Sequence, residues 1–179
     1  SSQLCDPITA LPVSLEIVAV VVGQLLVGGP LAECDVAPSL KGCIHAMPGL
    51  VDHPGVWTIK PLSRLVHLRA HLEGLSQATQ PCPRIVVAGG GQSGFEVSAV
   101  LAGLCMRLFG RQSVTLVSPD YSMSWAPPGA ARILLASFNK RGIARKTGRV
   151  TGMSDGACRL DVGEDLPCDA LVLATGLGV

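Results

Sequence analysis

Hydrophobic positions divide the chain into two stretches of different character. From Ser1 to about Gln80 the pattern is weak. One apolar run, Ile17 to Val27, is interrupted by Gly23 and Gln24 and predicts a buried strand and turn. Turn signals surround it at Gly28-Gly29-Pro30, Pro38, Pro48-Gly49 and Pro54-Gly55. Leu62, Leu65, Val66, Leu68 and Leu72 then recur at close to helical spacing, with His67, Arg69 and His71 at other positions. This predicts a surface helix over Leu62 to Leu75, followed by a linker over Ser76 to Pro83.

From Arg84 the pattern sharpens. Ile85-Val86-Val87-Ala88 is a short β-branched run that stops at Gly89-Gly90-Gly91, and a long helical stretch runs from beyond Gly94 to Phe109. Val97, Val100, Leu101, Leu104 and Leu108 give that helix one apolar face, and Gly110 stands where a C-terminal cap belongs. A second strand is expected at Ser113 to Ser118. Pro127-Pro128 opens another helix, made apolar on one side by Ile133, Leu134 and Phe138 and closed by Lys140-Arg141-Gly142. Strands are expected at Ile143 to Lys146, Arg149 to Met153, Ala157 to Val162 and Asp169 to Ala174, with turns at Ser154-Asp155-Gly156 and at Val162 to Asp165. An antiparallel meander inserted before a final buried parallel strand explains this order. The expected fold is α/β, a Rossmann-like three-layer arrangement of β-meander, parallel sheet and helices.

Chemistry enters at the strand-to-helix turn. Gly89-Gly90-Gly91-Gln92-Ser93-Gly94 has the spacing G-x-G-x-x-G, but glycine makes up 21 of 179 residues, so the spacing arises by chance roughly 0.3 times per chain of this composition. The context carries the signal: the match lies directly after a β-branched strand and directly before an amphipathic helix. Gly89 permits the tight turn, Gly91 lets the backbone approach a diphosphate with no Cβ in the way, and Gly94 lets the helix pack closely on the strand. Unpaired N–H groups and the positive end of the helix dipole then face an anion, and Ser93 can cap the helix or donate to it. The plain alternative is a glycine-rich turn that binds nothing. At the end of the second strand, where a Glu or Asp usually takes the adenine ribose, Ser118 stands instead, with Asp120 two residues later. Both NAD and NADP are left open there, and the lack of Arg or Lys between Ser118 and Ala131 leans toward NAD.

Composition narrows the field. With 179 residues the chain holds one full core, or one domain and a fragment of another. A net charge of +1 and an aromatic content of 3% argue against nucleic acid as a partner. The Ile17 run is shorter than the roughly 20 apolar residues of a membrane-spanning helix. Ser1 to Glu16 contains no Lys or Arg, so export is not indicated. Cys5, Cys34, Cys43, Cys82, Cys105, Cys158 and Cys168 form no C-x-x-C pair and no zinc-like spacing with histidine; no metal site is expected, and a reducing cytoplasm is the expected location.

Taken together, Arg84-IVVAGGGQSGFE-Val97, SVTLVS, the Pro127 helix with NKRGI, the meander and Cys168-DALVLATG-Leu177 resemble the pyridine-nucleotide-disulfide oxidoreductase superfamily of flavoproteins. The resemblance covers about Met47 to Val179 and is nearest to the type II NADH dehydrogenases and sulfide:quinone reductases, which contain one domain for FAD and one for NAD(P)H. It implies that residues 81–179 are the NAD(P)H-binding domain and residues 1–80 a partial FAD-domain-like segment and linker. It further implies a nicotinamide dinucleotide and FAD as cofactors, a quinone or other electron acceptor, and an assembly compatible with a homodimer. In a longer parent it also implies a peripheral membrane association.

The family pattern G-x-G-x-x-G-x-E continues to Glu96, which the resemblance places near the nicotinamide; the alternative is an exposed first-turn glutamate that favours the helix dipole. Ala174-Thr175-Gly176 resembles the family's turn after the last strand, beside the cofactors, where the alternative is a simple strand ending. Met47-Pro48-Gly49 and Thr58-Ile59-Lys60-Pro61 resemble the family's passage out of the flavin domain, and Val20 to Gln24 a crossing within it. No second G-x-G-x-x-G precedes this region and no C-terminal flavin segment follows, so the chain reads as a fragment. The implied activity is hydride transfer from NAD(P)H to flavin and onward, with Gly89, Gly90, Gly91, Gln92, Ser93, Gly94, Glu96, Ser118, Ala174, Thr175 and Gly176 at the cofactors and no acid or base identified. A non-catalytic NAD(P)-binding module and, more remotely, an S-adenosylmethionine methyltransferase are the other readings of the same turn.

Overall fold

The computed structural model describes residues 50, 52–61 and 63–174. In chain order the elements are β1 (Val56–Thr58), α1 (Ser63–Gln77), β2 (Ile85–Ala88), α2 (Gln92–Phe109), β3 (Val114–Ser118), α3 (Pro128–Lys140), β4 (Ala144–Thr147), β5 (Val150–Ser154), β6 (Ala157–Leu160), β7 (Asp165–Pro167) and β8 (Ala170–Leu173). A five-stranded sheet runs β1-β8-β2-β3-β4, with every neighbouring pair parallel. The meander β5-β6-β7 is a separate antiparallel sheet.

Alternation along the central strands explains the three layers. A parallel strand buried on both faces sends successive side chains to opposite sides. Ile85 and Val87 accordingly join Leu104, Cys105, Leu116 and Phe138 in the core beneath the helices. Val86 and Ala88 instead join Val117, Leu160, Leu166 and Leu171 in a second core. That second core is closed by the meander. The expected α/β three-layer architecture is therefore the one observed.

Boundaries follow local chemistry. α2 ends at Gly110, whose φ of 69° is left-handed and whose N–H donates to the Met106 carbonyl, as the glycine there predicts. α3 begins with a proline in its first turn and ends on Lys140. Across the N-terminal edge of the sheet, Arg84 forks onto Asp169: its backbone N–H and Nε reach Oδ2 at 2.8 and 2.9 Å, and Nη2 reaches Oδ1. The guanidinium holds the Asp169 carboxyl below the usual carboxylate range. This pair joins the starts of β2 and β8, at the opposite end of the strands from the glycine turn, and is architectural.

Three expectations need revising. The turn-rich stretch between the Ile17 run and the helix over Leu62 to Leu75 also holds a strand, because Val56, Trp57 and Thr58 pair in parallel with Leu171, Val172 and Leu173 at the sheet edge. Leu65, Leu68 and Leu72 of α1 belong to the same core as α2, so this segment packs as part of the sheet's own unit. The strand expected at Ile143 to Lys146 is displaced by one residue and belongs to the parallel sheet, not the meander. Finally, the turn expected over Val162 to Asp165 gives way at Asp165 to β7, an edge strand whose proline costs nothing where no further strand must pair. The readings at Val20 to Gln24 and at Met47 to Gly49 lie outside the described residues.

Candidate functional site

The glycine turn lies at the C-terminal ends of β2, β3 and β8. From β2 the chain crosses in one direction to β3 and β4, while β8 and β1 lie on the other side. This reversal of strand order marks the crevice where open α/β sheets place their ligands. Gly89, anchored by its N–H to the Val117 carbonyl at 2.9 Å, leaves the strand at φ 131°, a conformation that favours glycine. Gly91 is the N-cap of α2, in extended geometry at φ −74° and ψ 177°.

The four glycines separate into two kinds. A Cβ on Gly94 would run into the Gly89 carbonyl oxygen, and one on Gly90 into the Ser118 side chain and, at 2.8 Å, the Asp120 carbonyl oxygen. These two are required by the protein's own packing, as Gly89 is by its φ. Around Gly91, nothing among the described residues, its chain neighbours aside, lies within 4 Å of where a Cβ would stand, and its φ suits any residue. The packing of the described residues does not call for a bare backbone there.

Gln92, Ser93 and Gly94 open α2, and no side chain caps it. Ser93 does not close the helix start, contrary to the capping expectation, so the opening N–H groups remain available to an external acceptor. Ser98 instead returns its hydroxyl to the Gly94 carbonyl at 2.7 Å. Ala174 is buried beside the turn, its N–H donating to the Ala88 carbonyl at 2.8 Å. Thr175 and Gly176 lie outside the described residues.

Glu96 does not match its plain alternative: the first turn of α2 holds no acid, and the residue is partly buried. Gln92 Nε2 donates to its Oε1 at 3.0 Å, while Oε2 is buried with no partner. Burial pushes its carboxyl above the ordinary range, opposed by the Gln92 hydrogen bond. A carboxyl whose folded pKa is raised gives stability that is complete below its unfolded value and is lost as pH rises through the folded value. Glu96→Gln should therefore be more stable than the unaltered chain near neutral pH, with the gain vanishing in acid, where the carboxyl is protonated in both folded and unfolded states. Thermal melts at neutral and at acid pH check it.

Ser118 ends β3 at 4% exposure. Its hydroxyl donates to the Asp120 carbonyl and accepts the Asp120 N–H at 3.3 Å, while both carboxylate oxygens of Asp120 accept from Ser122. The end of β3 is thus a closed polar turn pressed against Gly90. One residue here is marked by no motif or periodicity in the sequence: Trp125 donates its indole N–H to the Gly90 carbonyl at 3.3 Å.

The described cysteines, Cys82, Cys105, Cys158 and Cys168, are free and buried. Burial, reinforced by Cys82, pushes the Cys105 thiol up to about 12. Hydrogen bonding with Cys158 and burial push Cys168 up as well. Such thiols are poor nucleophiles. Among the described residues no group of three or more His, Cys, Asp or Glu could hold a metal ion, and no helix is long and apolar enough to cross a membrane.

Comparison with known proteins bears on the family and the fold. The profile of the pyridine nucleotide-disulphide oxidoreductase family matches residues 46–179. No curated protein sequence matches. Among solved structures, NDH2 from Plasmodium falciparum superposes with a TM-score of 0.63 at 17% identity, over 77% of this chain and 33% of that one. The water-forming NADH oxidase from Lactobacillus brevis, bound to NADH, gives 0.56 at 16% identity, over 75% and 28%. A NAD-dependent persulfide reductase from A. fulgidus gives 0.53 at 20% identity, over 73% and 24%. At these identities the likeness speaks for the fold, and the chain spans a third or less of each of these structures.

Proposed function

The chain belongs to the pyridine nucleotide-disulphide oxidoreductase family, and from that premise we propose that its glycine turn is the NAD(P)H site of an FAD-dependent oxidoreductase. The observation that carries the proposal is the contrast between Gly91 and its neighbours. Gly89, Gly90 and Gly94 are explained by the turn's own geometry, whereas Gly91 has open space where its side chain would be. A diphosphate on the uncapped start of α2 would use that space, accepting from the N–H groups of Gly91, Gln92, Ser93 and Gly94.

The remaining residues fit a dinucleotide laid across the crevice. Its adenosine end lies over the closed turn at Ser118 and Asp120. Because the Ser118 hydroxyl is already engaged, Ser118 supports the ribose through the shape of that turn. The other end runs toward Glu96, whose orphaned Oε2 suits a donor such as the carboxamide N–H of nicotinamide. Ala174 borders the same crevice from β8. FAD enters through the family and not through any described residue. When bound, the nicotinamide supplies a hydride to flavin, from which electrons pass to a quinone or another acceptor.

Calorimetric titration of the 179-residue chain with NADH, NADPH and ADP-ribose tests the site. Binding with Kd of about 1–100 µM is expected. No heat from any of the three would contradict it. Binding combined with no NADH-dependent dye reduction, in a longer chain that retains FAD, would favour a non-catalytic NAD(P)-binding module.

A further inference from the structure

The chain has only six aromatic side chains outside histidine, and four of them meet beside the glycine turn. Phe95, in the first turns of α2, packs on Phe138 at 4.7 Å between ring centroids, on Trp125 at 5.7 Å and on Tyr121 at 6.5 Å. Tyr121 and Trp125 belong to the loop of residues 119–127 that leaves β3. The Tyr121 hydroxyl is held between the Leu116 and Lys146 carbonyls, at 2.6 and 2.7 Å. The loop is thereby fixed on the same helix whose N-terminus opens the site.

From this anchored loop, the Trp125 indole N–H reaches the Gly90 carbonyl at 3.3 Å. That carbonyl stands outside the helix ladder, because the first helical turn closes from Phe95 N–H to the Gly91 carbonyl. The peptide it belongs to joins two glycines, where rotation of the plane is least restrained. A trans peptide is planar, with its N–H directed opposite to its C=O. Holding the Gly90 oxygen toward Trp125 therefore aims the Gly91 N–H away from Trp125, toward the open side of Gly91.

We propose that Trp125 is a positioning residue of the dinucleotide site: its hydrogen bond to the Gly90 carbonyl fixes the Gly90–Gly91 peptide so that the Gly91 N–H is presented to the diphosphate. The inference rests on the NAD(P)H reading above. Since the diphosphate is common to all the ligands, the effect of losing the bond is the same for each. Trp125→Phe keeps an aromatic ring against Phe95 and removes the donor.

Calorimetric titration of Trp125→Phe should give binding about three- to tenfold weaker than the unaltered chain, by one factor for NADH, NADPH and ADP-ribose. A second variant leaves Trp125 in place. In Trp57→Phe it is the sole tryptophan, and its emission should shift on addition of ADP-ribose with the midpoint found by calorimetry, a response that a purely structural role would not produce. Unaltered affinity of a folded Trp125→Phe, or constant Trp125 emission at saturating ADP-ribose, would overturn the role of Trp125 while leaving the site intact. Absence of heat from the unaltered chain would instead overturn the NAD(P)H reading, and the role of Trp125 with it.

Discussion

Gly91→Val abolishes dinucleotide binding and leaves the fold in place. At φ −74° and ψ 177° the backbone of Gly91 is one that valine adopts readily, and among the described residues, chain neighbours aside, nothing lies within 4 Å of its Cβ position. Valine is a poorer N-cap than glycine, so the stability cost is under about 1 kcal/mol. The binding cost is much larger. The isopropyl group fills the approach to the Gly91 N–H and the start of α2, and loss of two hydrogen bonds to a charged diphosphate, at about 1.5–3 kcal/mol each, weakens binding by a factor of about 100 or more. Urea unfolding and calorimetry on the same preparation separate the two quantities. A variant that binds NADH as the unaltered chain does would mean that the glycine turn is architecture alone.

Gly94→Ala does the reverse, acting on the fold before it acts on any ligand. Its Cβ would be driven into the Gly89 carbonyl, a backbone group of the turn that leaves β2. Neither side can yield by turning a side chain, so α2 must move off β2 or the turn must break. The core formed by Phe95, Val97, Leu101 and Leu104 beneath the helix would loosen with it. The expected loss is about 3 kcal/mol or more, read as a lower urea midpoint. Stability within about 0.5 kcal/mol of the unaltered chain would contradict the close helix–strand contact.

How legible each part was depended on how much physical signal its residues carry. β2, α2 and β3 were readable because a β-branched run, a glycine turn and one long apolar face follow each other without ambiguity. β1 and β7 were not: with three residues each, neither is long enough to show a period of two, and the proline in β7 speaks against a strand unless it lies at an edge. The glycines look alike as letters. Only the surrounding atoms separate Gly90, pressed against Ser118, from Gly91, which faces open space. Glu96 was readable as part of a motif, but its buried, partnerless Oε2 depends on how the helix start packs. Trp125 sits in an aperiodic loop, and its meaning comes from Phe95, thirty residues earlier in the chain; the scarcity of aromatic residues was the one available hint.

In the proposed site the diphosphate of a nicotinamide dinucleotide is received by the backbone at the start of α2. Amide resonances of the ¹⁵N-labelled chain, followed during an NADH titration, test this most directly, since each N–H reports its own environment. The largest shifts are expected at Gly91, Gln92, Ser93 and Gly94, with smaller ones at Ser118 and Glu96 and none at the Arg84–Asp169 edge. Shifts centred away from the start of α2, or none at NADH concentrations well above the calorimetric Kd, would contradict it.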